Sequence, residues 1–227
     1  MKYIKLVLSA VLLLLMAGSA YAHGVDEDTQ TFLSENSGVA FVPFLYIGAK
    51  HMLTGYDHLL FLVGVIFFLY RAKEVFLYVS FFTIGHSTTL LLGVLADMAI
   101  NSYLIDAIIA LSIVYKGFDN LGGFQRFFGK QPNTKAAVLI FGLFHGFGLA
   151  SKLQELSFDR DGLLANLIGF NIGVEIGQFI ALALVLFIIA NWRRSSSFLK
   201  FSTLTNMLLM AAGFVLFGYQ LVGYFKS

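Results

Sequence analysis

The chain has 227 residues, of which 58% are hydrophobic and 12% charged, with a formal net charge of +2. That balance excludes a soluble globular domain and leaves no basic surface for nucleic acid. The absence of cysteine excludes disulfides, thiolate metal sites and cysteine nucleophiles. Several apolar runs are long enough to cross a bilayer, so the fold class is all-α, a polytopic helical membrane protein whose surroundings are lipid.

Residues 1–22 read as a cleaved signal peptide. Lys2 and Lys5 give a basic start, Leu6 to Met16 an apolar stretch, and Ala20-Tyr21-Ala22 an A-x-A cleavage site. Cleavage makes His23 the new N-terminus. Residues 23–37 then form an exposed acidic tail with Asp26, Glu27, Asp28 and Glu35, in which the amine and ring of His23 can capture a metal ion.

Residues 38–227 are expected to form one transmembrane domain. The apolar stretch 38–70 is too long for a single untilted helix of about 20 residues. A break at Thr54-Gly55-Tyr56 divides it into a short helix, 39–52, and a spanning helix, 56–70. Further spans are expected at 74–95, 100–114, 135–150, 163–191 and 204–225, which makes six after the signal. With the mature N-terminus outside, the inner loops hold nine Lys and Arg and the outer segments four, as the positive-inside rule requires. Both termini are then periplasmic in a bacterial inner membrane. No internal repeat stands out.

Ionisable groups inside the spans carry the chemistry, because each is costly there unless paired or facing a cavity. His51, Asp57 and His58 flank the expected break. Thr83, His86 and Ser87 form one polar stripe at helical spacing. Ser102 and Asp106 share a face, and His145 sits between Gly142 and Gly146. Asn171, Glu175 and Gln178 share a face of the fifth span, opposite Gly169, Gly173 and Gly177, whose spacing allows close helix packing. With no Lys or Arg near mid-span, the buried carboxylates need a cation, a proton or a histidine. Histidine and carboxylate ligands suit borderline divalent ions such as Ni, Co or Zn.

The motif set resembles the HupE/UreJ family of bacterial membrane proteins. The matching pieces are the signal ending in AYAHG, the H-x5-D-H element of His51, Asp57 and His58, FTIGHSTTL around His86, FGLFHGFGLA around His145, and FNIGVEIGQ around Glu175 and Gln178. The resemblance covers nearly the whole chain and implies a secondary permease for nickel or cobalt. By position, it assigns metal handling to His51, Asp57, His58 and His145. The nickel-permease pattern has a second histidine four residues after the first in the fourth span, and here Leu149 stands in its place. The chain therefore resembles the divergent branch, and the resemblance implies that His86 and Glu175 are characteristic of it.

Two readings of the same ligands stay open. In the first, a permease collects the ion through His23 and the acidic tail, passes it to His51, Asp57 and His58, and moves it through a midplane site of His86, His145 and Glu175. Thr83, Ser87, Asp106, Asn171 and Gln178 support that site, and the small number of spans favours a homo-oligomer. In the second, an intramembrane hydrolase holds Zn on three histidines and a carboxylate, with Glu175 or Asp57 as general base. Neither H-E-x-x-H nor G-x-S-x-G is present, which weighs against the enzyme.

Overall fold

The computed structural model describes residues 38–98, 100–155 and 161–227, and the regular structure among them is entirely helical. The expected signal peptide, the acidic tail and His23 lie outside the described residues. In chain order the helices are α1 Phe41–Thr54, α2 Tyr56–Ile66, α3 Ala72–Leu95, α4 Ser102–Asn120, α5 Gly123–Phe128, α6 Thr134–Glu155, α7 Leu163–Arg193 and α8 Ser197–Lys226.

Four of these, α3, α6, α7 and α8, are long and apolar enough to cross a membrane. The chain is thus a multi-pass helical membrane protein. The other two expected spans differ in kind. Helix α4 has 19 residues and carries Asp106, Lys116 and Asp119. The first expected span is a broken helix whose second piece, α2, has 11 residues, about 16 Å at the usual rise and half a bilayer.

The break falls at Gly55, whose backbone is extended. Its φ suits any residue, so the reason for glycine is space. A Cβ there would lie 2.8 Å from His58 Nδ1 and 3.0 Å from the His51 carbonyl oxygen. Helix α2 stops at Ile66, short of the expected 70, because Arg193 at the end of α7 takes over its terminal carbonyls. The guanidinium donates to the Ile66 oxygen, to Phe67 at 2.7 Å and to Leu69 at 2.8 Å, and lies 4.5 Å from the Tyr70 ring centroid. One planar cation thus satisfies acceptors that a helix end leaves open.

Three helix pairs make the frame: α1 with α7, α3 with α6, and α4 with α8. The glycine spacing expected on α7 is used within the chain. Gly169, Gly173 and Gly177 meet the carbonyls of Phe41, Leu45 and Ala49 in step, so α1 and α7 run parallel with backbones in contact. Asn166 of α7 ties the start of α1, accepting from the Ala40 N–H at 2.7 Å and donating to the Gly38 carbonyl at 2.9 Å. Helices α3 and α6 are also parallel, with the Thr89 hydroxyl donating to the Leu143 carbonyl at 2.7 Å. Helix α2 sits among these pairs and carries Asp57 and His58 into the interior.

Candidate metal centre

Four histidines and one aspartate from four helices converge where α1 gives way to α2. Asp57, His58, His86 and His145 are 1–2% exposed, whereas His51 is half-buried. The His58 ring lies 5.0 Å from that of His51, 4.9 Å from His145 and 6.1 Å from His86, centroid to centroid. Two sets of three ligand atoms, each within 4.8 Å of one another, can hold an ion: His51, His58 and His86, and Asp57, His58 and His145. His58 belongs to both.

The break creates this arrangement. Asp57 occupies the first turn of α2, where the helix amides favour a carboxylate. The last carbonyls of α1 approach from the other side as partial negative charges. His58 Nδ1 lies 3.0 Å from Asp57 Oδ1. A carboxylate oxygen accepts, so Nδ1 carries the proton and Nε2 keeps a lone pair. His145 follows the same logic, with Nδ1 donating to the Phe141 carbonyl at 2.7 Å. Its Nε2 points towards Asp57 Oδ2, 4.0 Å away. Both rings are therefore oriented as neutral ligands.

His86 differs, because both of its ring nitrogens are buried without a hydrogen-bond partner among the described residues. Leaving such groups dry costs about 1–3 kcal/mol each, and an ion beside His51 and His58 would use one of them.

Aromatic rings wall the cluster. Phe61 and Phe82 lie 5.5 and 4.9 Å from the His145 ring, and Phe82 lies 6.2 Å from His58. Sequence reading passed over them, although Phe61 stands one turn from His58, Phe82 one turn from His86 and Phe141 one turn from His145. Beyond His58 a small cavity of about 10 Å³, room for about one water molecule, is lined by Gln178, Tyr78, Val65 and Val138. The last three residues belong to the end of α2 and the starts of α3 and α6, so the cavity lies between the histidines and that end of the bundle.

The remaining expected residues fall into two groups. Thr83 donates to Gln178 Oε1 at 2.8 Å, joining α3 to α7 beside the cavity. Among the described residues the Ser87 hydroxyl and Asn171 Oδ1 are buried without hydrogen-bond partners, while Asn171 Nδ2 donates to the Leu167 carbonyl. Glu175, however, is exposed on α7 and joins neither set of ligands. Helical spacing puts it near Asn171 and Gln178, but the glycine seam turns the helix so that those two point inward and Glu175 outward. Asp106 also stands apart, ion-paired with Lys152 at 2.6 Å. That pair corrects the expectation that the intramembrane carboxylates lack a basic partner.

Comparison with curated proteins and with solved structures gives no match. The family model described as HupE / UreJ protein matches residues 27–227, nearly all of the chain that follows the expected signal. The chain belongs to the HupE/UreJ family.

Proposed function

We propose that the chain is a permease that carries a divalent transition-metal ion, nickel or cobalt first and zinc next, across the bacterial inner membrane. Family membership points to metal transport, and the observation that carries the reading here is the sharing of His58 between two adjacent ligand sets. An ion held by three donors in one set can pass to the other by exchanging partners around a common histidine. A carrier needs that kind of weak, multi-position binding, because its cargo must leave again. The small cavity beyond His58 lies on the side of the cluster towards the end of α2, and the onward route would have to widen there.

In this reading His51, the half-buried member of the cluster, receives the ion, and Asp57, His58, His86 and His145 hold it in the interior. His23 and the acidic tail gather ions outside. The chain crosses the membrane six times, with α1 and α2 together as one pass and α4 as another, and both mature termini are periplasmic. A homo-oligomer suits an ionisable Glu175 that a single copy leaves exposed in mid-helix.

Uptake into proteoliposomes tests the proposal, with Ni, Co, Zn, Fe(II), Mn and Cu offered separately. Accumulation of one ion that His58→Ala and His145→Ala abolish is the expected result. If no ion moves while purified protein keeps one zinc per chain, the permease reading fails and hydrolysis becomes the activity to assay.

A further inference from the structure

The helix contacts repeat. On α1 and α7, Gly48 abuts the Phe170 carbonyl and Gly173 abuts the Leu45 carbonyl; on α6 and α3, Gly142 abuts the Phe82 carbonyl and Gly85 abuts the Leu139 carbonyl. The sequences at these crossings match. Leu45-x2-Gly48-x2-His51 corresponds to Leu139-x2-Gly142-x2-His145, and Phe82-x-Ile84-Gly85 to Phe170-x-Ile172-Gly173. The third pair is its own image, because a Cβ on Gly117 of α4 would lie 3.0 Å from the Asn206 carbonyl of α8, and one on Gly213 of α8 would lie 3.0 Å from the Ala110 carbonyl of α4. Gly117 and Gly213, like Ala110 and Asn206, are thus equivalent positions. A single exchange, α1 with α6, α3 with α7 and α4 with α8, accounts for all three crossings.

We infer that the protein is an inverted repeat of one three-helix unit, that His51 and His145 are the same position of that unit, and that the ion site alternates between them. The first unit is α1 to α4, with α2 as the continuation of α1, and the second is α6 to α8. Three passes is an odd number, so the second copy enters the membrane from the opposite side. The two units are then related by a two-fold axis in the membrane plane.

The copies are not in the same state. Helix α6 packs on α4 at Gly148, where a Cβ would lie 3.1 Å from Ile109 and 3.2 Å from Ile105. By the equivalences above, the image of that contact is Thr54 of α1 against Thr205 and Phe201 of α8, and α1 and α8 are not packed along each other here. Exposure follows the same asymmetry, with His145 fully buried and His51 half-buried. Rocking the α4–α8 pair from α6 towards α1 reverses it, covering His51 and uncovering His145. The sets His51–His58–His86 and Asp57–His58–His145 then serve opposite sides of the membrane, with His58 common to both. This part of the inference rests on the permease reading.

The chain has no cysteine of its own, so a Thr54→Cys, Thr205→Cys double variant offers a single pair of thiols. The test treats this variant in proteoliposomes with a short bifunctional thiosulfonate, alongside each single variant, and measures Ni(II) and Co(II) uptake before treatment, after it, and after reduction. The expected result is a cross-link in the double variant alone, with loss of uptake that reduction restores. Absence of the cross-link in folded protein overturns the second conformation, whether or not ions move. A cross-link in protein that moves no ion even when reduced supports the repeat and its second conformation, and removes the permease reading instead.

Discussion

Asp57 and His58, neighbours in the first turn of α2, bind each other side chain to side chain at 3.0 Å, and both are buried. The carboxylate fixes which nitrogen of His58 carries the proton and which faces the other histidines as a ligand. Asp57→Asn keeps the shape and an accepting oxygen but removes the charge. Metal affinity in detergent, measured by equilibrium dialysis, should fall about 10- to 100-fold, the usual effect of losing a group that orients a ligand. An unchanged affinity would show that the aspartate only caps the helix.

His86 makes a sharper case, because its buried nitrogens have no hydrogen-bond partner among the described residues. Replacing it with leucine removes two unsatisfied polar atoms and keeps much of the volume. Metal-free His86→Leu should therefore be more stable than the parent, by up to about 2–6 kcal/mol for the two atoms, and should lose the stabilisation that added metal gives the parent. Thermal melting with and without Ni(II) reads both effects. A variant that melts lower without metal would mark His86 as an ordinary packing residue.

Glu175 is expected to matter little for the ion. Its side chain is exposed on α7 while its neighbours Asn171 and Gln178 are buried. Glu175→Gln should leave metal affinity within about two-fold, less than the loss from any one ligand or the group orienting it. A loss as large as that of His58→Ala would restore Glu175 to the binding set.

Much of this was legible in the sequence, for physical reasons that differ from residue to residue. The break at Gly55 follows from an apolar stretch too long for one helix, and His51, Asp57 and His58 follow from the cost of ionisable groups in lipid. Periodicity misplaced Glu175 because a helical wheel shows which residues share a face and leaves open which way that face turns. That orientation is set by the close approach of Gly173 to the Leu45 backbone. The Asp106–Lys152 pair was missed because it joins two helices, and Lys152 reads as a loop charge when α6 is ended at residue 150. The repeat escaped notice because few side chains match between the units. Its signal is the pair of short patterns around Gly48 and Gly142, and around Gly85 and Gly173.

Arg193 gives the last prediction. Helix α2 holds Asp57 and His58 in place with only 11 residues, and its far end depends on three carbonyls bonded by one guanidinium. Arg193→Ala leaves those acceptors without their donor at the end of the bundle, at a cost of about 1.5–3 kcal/mol, the usual worth of a hydrogen bond to a charged group. Lysine keeps the charge but lacks the planar fork that reaches several acceptors while stacking on Tyr70, so Arg193→Lys should recover only part of the loss. Because the damaged end belongs to the same short helix as Asp57 and His58, metal affinity should fall along with the melting temperature in both variants, more in alanine than in lysine. If stability drops while affinity holds, the first turn of α2 is fixed by its own contacts with His51 and His145, and the anchoring role of Arg193 ends at Ile66.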